Sequence, residues 1–157
     1  MKKLLLALFA VIGIQAYAEG PDSYDAHIDG IYYNLDKNTF SASVTKNYSR
    51  GAVVIPSFIN YEGNLYNVTS LEDNAFSDCS GLTSIIISEG ITNIGKSAFS
   101  GCTFLTSIVI PSSISTIGES AFSDCSNLPD VTLPNGLTKI NQSLFSRCDN
   151  LSSITIP

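Results

Sequence analysis

Four cysteines carry most of the reactive chemistry this 157-residue chain can offer: Cys79, Cys102, Cys125 and Cys148, each 23 residues from the next. A zinc site wants ligands in closely spaced pairs such as C-x2–4-C, so a uniform wide spacing argues against zinc. Disulfides are the second sharp reading, since an even count in an oxidising compartment invites them. Each would need Cα atoms ~4.4–6.8 Å apart and side chains turned towards each other, which a stack of equal turns does not naturally supply. The blander reading, which the spacing favours, is a column of buried thiols used as small apolar filling, with one or two disulfides between neighbours as the alternative.

Other reactive side chains offer less. "GKSAF" (95–99) and "GESAF" (118–122) hold half of a G-x-S-x-G nucleophile elbow, but the second Gly is absent and the fragment recurs at the cysteine spacing. His27 is the single histidine, in a segment expected to be flexible and solvated, with no second histidine or matched acid for proton transfer. The sequons at Asn47, Asn67, Asn141 and Asn150 are expected by chance in a chain rich in Asn and Ser. These residues nominate no catalytic group, metal or cofactor.

The ends and the charge set the compartment. "MKKLLLALFAVIGIQAYAEG" has Lys2 and Lys3, an apolar run from Leu4 to Ile14 and then Ala16-Tyr17-Ala18. That is the pattern of a secretory leader, residues 1–18, cut after Ala18. The run is shorter than the ~20 residues of a spanning helix, so a membrane anchor is disfavoured. No membrane span is expected after cleavage, and residue 19 is Glu, not the Cys of a bacterial lipoprotein. Removing the leader leaves six Lys and Arg against 14 Asp and Glu, a net charge of −8. Such a chain repels phosphate backbones, so nucleic acid is excluded as a partner and anionic lipid is disfavoured.

The cysteine spacing belongs to a larger repeat. From residue 68 the chain reads as three complete units and one partial unit, in which Phe76, Phe99, Phe122 and Phe145 share a column. Leu82, Leu105, Leu128 and Leu151 share another, as do Ile85, Ile108, Val131 and Ile154. A unit this short cannot bury so many apolar residues alone, so successive units must stack, each adding one layer to a common core. L-x-x-I-x-I alternates with period two and reads as a short strand, ended by Pro111 or Pro134. Identical strands at one-turn spacing then pair in parallel, and Ser-Ala-Phe wraps back as a helical or 3-10 turn.

L-x-x-I-x-I-P followed by I-x-x-I-G-x-x-A-F-x-x-C resembles the BspA-type leucine-rich repeat of bacterial surface proteins. The resemblance covers 68–157, and less strictly the chain from about residue 28. Its cysteine precedes the strand, unlike the Asn or Cys that follows it in ordinary leucine-rich repeats. The expected fold is an α/β solenoid with 23-residue turns, parallel strands, short helical turns and an N-terminal β cap. The expected division is 1–18 leader, 19–67 β-hairpin cap with an irregular first repeat, and 68–157 repeats. Within 19–67, "HIDGIYYNL" and "TFSASVT" read as two strands, with a hairpin at Glu62-Gly63-Asn64. Ile55 to Ile87 spans one repeat plus nine residues, which reads as a hairpin insertion. The last unit stops at "ITIP" with its columns unfilled, so further repeats C-terminal to this chain, or a partner over that layer, are expected.

Strand alternation turns Ser84, Ile86 and Ser88 outward if Ile85 and Ile87 point into the core. The same offsets give Ser107 and Val109, Asp130 and Thr132, and Ser153 and Thr155. Solenoids bind partners on such a face, so Ser84, Ile86, Ser107, Val109, Asp130, Thr132, Ser153 and Thr155 are the candidate binding residues. The resemblance implies a non-enzymatic protein, secreted or held on a bacterial cell surface. It would mediate binding or adhesion to an extracellular or host-surface protein, or to a glycan. The alternative is an architectural spacer of the cell envelope with no ligand of its own.

Overall fold

The computed structural model describes residues 23–137 and 139–156, and the expected leader with its cleavage site lies outside them. In chain order the strands are β1 (Ala26–Ile28), β2 (Ile31–Asp36), β3 (Ser41–Val44), β4 (Gly51–Ile55), β5 (Phe58–Tyr61) and β6 (Asn64–Leu71). They continue with β7 (Leu82–Ile87), β8 (Asn93–Ile94), β9 (Ser107–Val109), β10 (Thr116–Ile117), β11 (Asp130–Thr132) and β12 (Ser153–Thr155). Together they wind about five turns of a β-solenoid.

Each turn contributes to two walls. On the first, β7 pairs in parallel with β4 and with β9, in the registers Ile86↔Val54 and Ile86↔Val109. The pair β11–β12 continues it with Thr132↔Thr155. The ladder breaks between β9 and β11 for a chemical reason. Thr106 N donates to Thr83 O at 2.9 Å and Ser152 N to Pro129 O at 2.9 Å, but Pro129 itself has no N–H to give Thr106. The second wall runs β3–β6–β8–β10, all parallel, and keeps Val44, Leu71, Ile94 and Ile117 in one row.

The segment closing each turn departs from the expected helical form: no helix is present among the described residues. Two residues per turn sit in left-handed backbone, Asn74, Ser97, Ser120 and Ser143 in one column (φ 60, 52, 56 and 56) and Asp78, Gly101, Asp124 and Arg147 in the other (φ 62, 76, 61 and 56). A right-handed helix cannot contain them. They turn amides towards the next turn instead. Asn74, Phe76 and Asp78 donate to Lys96 O, Ala98 O and Ser100 O at 2.7–2.9 Å, and the pattern repeats one turn later. All three sides of the solenoid are thus tied by backbone bonds between turns.

The core is the set of aligned columns. Phe76, Phe99 and Phe122 are fully buried, and with Phe145 their rings stack at centroid distances of 5.5, 5.4 and 5.5 Å, nearly parallel. Gly95 makes the stacking possible at one corner, since a Cβ there would lie 2.5 Å from Glu72 C and 2.6 Å from Asp73 N.

The N-terminal strands extend the second wall and cover its first layer. "HIDGIYYNL" is not one strand but two, β1 and β2, folded at Asp29-Gly30 with φ of 49 and 81, the double positive φ that an Asp-Gly hairpin turn requires. The β5–β6 hairpin turns at Glu62-Gly63 and makes up the nine extra residues of the first turn. Asn47 takes the place of the stacked Phe in that turn. Its N–H donates to Ala75 O, its Oδ1 accepts from Tyr32 N at 3.1 Å and its Nδ2 donates to Thr45 O at 2.6 Å. Fully buried and bonded on both ends, Asn47 is closed to glycosylation in the folded chain.

Candidate functional site

The cysteines turn out to be both filling and rungs. All four are free thiols, with Cys79, Cys102 and Cys125 buried. Each donates its S–H to a carbonyl of the preceding turn: Cys79 to Asn47 O (3.3 Å), Cys102 to Phe76 O (3.2 Å), Cys125 to Phe99 O (3.2 Å) and Cys148 to Phe122 O (3.0 Å). A thiol aimed at a carbonyl is not aimed at the next sulfur, which is the geometric case against pairing. Burial, with neighbouring thiols adding to it, pushes Cys102 far above the ordinary thiol range and Cys125 up to about 12. These groups are protonated and unreactive, the opposite of a nucleophile. Nothing in the spacing alone revealed the S–H donors, because the acceptor belongs to another turn.

The remaining reactive residues stay scattered. His27 is exposed as expected, but it sits on strand β1 and stacks on Tyr32 at 4.1 Å. Ser97 and Ser120 mark the left-handed position of the closing turn, which explains why their fragment recurs. Among the described residues no group of three or more His, Cys, Asp or Glu is arranged to hold a metal ion, and no helix is long and apolar enough to cross a membrane.

The outward strand residues do share one face. Ile86 and Val109 are 46% and 50% exposed and lie side by side across β7 and β9. Ser107, Asp130, Thr132, Ser153 and Thr155 are exposed and Ser84 is half-buried. The break at Pro129 divides them, so Ser84, Ile86, Ser107 and Val109 share one ladder and Asp130, Thr132, Ser153 and Thr155 another. The structure adds two residues to the first ladder, Ala52 and Val54, in register with Ser84 and Ile86. Val54 is 58% exposed, so Val54, Ile86 and Val109 form an apolar stripe across three neighbouring strands. The sequence held part of the signal, since Ile55-Pro56 matches Ile110-Pro111 and sets Val54 in the same column as Val109, on the other side of Ile86. Phe104, in the turn leading to β9, is a further exposed aromatic that replaces the Gly, Asn and Asn of the other turns.

Small polar rungs stiffen the border of this face. Glu89 accepts from Ser112 N and Oγ and from Ser113 N, all at 3.1 Å. Desolvation pushes its carboxyl up, but these bonds outweigh it and hold the group below the usual Glu range. Thr106 and Ser152 hydroxyls donate to Thr83 O and Pro129 O at 3.1 and 3.0 Å. The face is therefore preorganised, flat and nearly neutral.

Stacked 23-residue turns with parallel strands, a phenylalanine column and a flat outward sheet define a leucine-rich-repeat solenoid. The sequence matches the family described as "BspA type Leucine rich repeat region (6 copies)" over residues 58–157, and the chain belongs to that family. Among solved structures it is similar to a leucine-rich repeat protein from Bacteroides capillosus (TM-score 0.74, 22% identity, 86% of this chain and 99% of that one). It is also similar to a leucine rich cell surface protein from Faecalibacterium prausnitzii (TM-score 0.63, 26% identity, 88% of this chain). A leucine-rich repeat protein from Bacteroides ovatus gives TM-score 0.63 and 29% identity over 85% of this chain. The chain spans 44% and 42% of the length of the latter two. No curated protein matches it.

Proposed function

We propose that this is a secreted or surface-held bacterial protein that binds a protein on a host or neighbouring cell through its outward strand face. The observation that carries the reading is the stripe of Val54, Ile86 and Val109, apolar side chains left in water on three consecutive paired strands. Isolated exposed apolar residues are ordinary, but a contiguous row on a preorganised sheet marks an interaction surface. Ser84, Ser107, Asp130, Thr132, Ser153 and Thr155 supply the polar surround, and Phe104 is the aromatic candidate for a hot spot. Membership of a family of surface repeats and likeness to a protein described as a cell surface protein support the location.

A single copy of so shallow a face binds weakly, so affinity comes from many copies or turns. The test is capture of matrix and cell-surface proteins by the chain displayed in many copies, beside Ile86→Lys/Val109→Lys/Thr132→Lys. A protein captured by the parent and lost by the variant supports the reading. Capture by neither favours a spacer, and capture abolished by deglycosylating the partner favours a glycan ligand.

A further inference from the structure

We propose that the free edge of β4 is a second binding site, which borders the strand face at Val54 and takes an extended peptide strand carrying a Lys or Arg side chain. Within its sheet β4 pairs on one side only, with β7. Ser88 N donates to Ile55 O at 3.1 Å, so Ile55 turns its polar backbone towards β7. Alternation then aims the N–H and C=O groups of Ala52 and Val54 the other way, with no strand among the described residues to receive them. That edge is complementary to one kind of ligand, another extended backbone.

Beside the edge lies a hollow of about 410 Å³ walled by Ile28, Ile31 and Val53. Two residues with polar groups line it. Tyr33 lines the hollow and is almost wholly buried, 1% exposed. Asp29, the only charged residue lining the hollow among the described residues, is exposed in the β1–β2 turn. The Asp29 charge, after burial, helps keep the Tyr33 phenol protonated and so a donor. A side chain with an apolar stem and a cationic head matches this layout: the stem lies on the aliphatic walls and the head meets Asp29. An acidic chain favours such a basic partner at longer range as well. The hollow differs from the outward face in that Ile28, Ile31 and Tyr33 come from the cap, not from the repeats.

The probe is a blocked hexapeptide of alternating Thr and Val with one central Lys, titrated into the ¹⁵N-labelled full chain and followed by amide chemical shifts. The expected result is saturable shifts at Ala52, Val53, Val54 and Tyr33. Binding should be abolished when alternate peptide nitrogens are methylated, and weakened about 5-fold by Asp29→Asn or by replacing the Lys with norleucine. Asn tolerates the positive φ at this position, so the variant keeps the turn. No shift at millimolar peptide, shifts confined to Ile86 and Val109, or binding indifferent to backbone methylation would each overturn the proposal.

Discussion

Each cysteine does two things at once: it fills space beside the phenylalanine stack and it donates to the turn before it. The first consequence is chemical silence. Cys102 and Cys125 in the native chain should resist iodoacetamide for as long as the fold persists and react only on unfolding, a difference that mass spectrometry in and out of denaturant reads directly. The second concerns pH. Their folded pKa values lie above the ordinary 9.0, with Cys125 at about 12, so the unfolded state loses its thiol protons first. Their contribution to stability is complete below pH 9 and drains away as pH rises from about 9 to 12. Urea midpoints measured across that range should fall, and the fall should be shallower in Cys102→Ala/Cys125→Ala. The phenylalanine column has a simpler energetics: Phe99→Ala removes a ring stacked on both faces and should cost about 3–5 kcal/mol by denaturant titration.

At the scale of the element, what matters is how closely one turn approaches the next. Gly95 has no Cβ because Glu72 and Asp73 backbone occupy the space, so Gly95→Ala must push two turns apart. A loss of at least ~2 kcal/mol is expected in chemical unfolding, far more than the propensity change of an exposed site would give. Pro129→Thr should act in the opposite sense. A restored N–H can reach Thr106 O and join the two ladders, with a gain of about 0.5–1.5 kcal/mol and slower exchange of the neighbouring amides.

The columns of Phe, Leu, Ile and Cys made the solenoid legible from the sequence, because a period of 23 residues admits no other way to bury them. The closing turns were read as helical because Ser-Ala-Phe carries no mark of left-handed backbone: Ser97 and Ser120 adopt it for the sake of bonds to another turn. The β1–β2 hairpin was missed, its residues being read as one strand although Asp29-Gly30 announced the turn. The outward positions of Ile86 and Val109 followed from alternation alone. The Val54 end of the stripe required knowing that the irregular first turn joins the same ladder.

Across the whole molecule, the stack is held by three inter-turn ladders, so the outward face is set by the core and is insensitive to what is written on it. Surface substitutions there should change binding without changing stability by more than ~0.5 kcal/mol. That separation makes a decisive comparison possible. Beads coated with many copies of the chain are settled on a layer of extracellular-matrix proteins, and the number retained under flow is counted for three forms. The forms are the parent chain, Ile86→Lys/Val109→Lys/Thr132→Lys on the strand face, and Ser70→Lys/Asn93→Lys/Thr116→Lys on the second wall, which adds the same charge elsewhere. Retention should fall about 10-fold or more for the strand-face variant alone, since avidity multiplies a small loss per copy. Equal retention of all three forms, or equal loss in both variants, would contradict a binding role for this face.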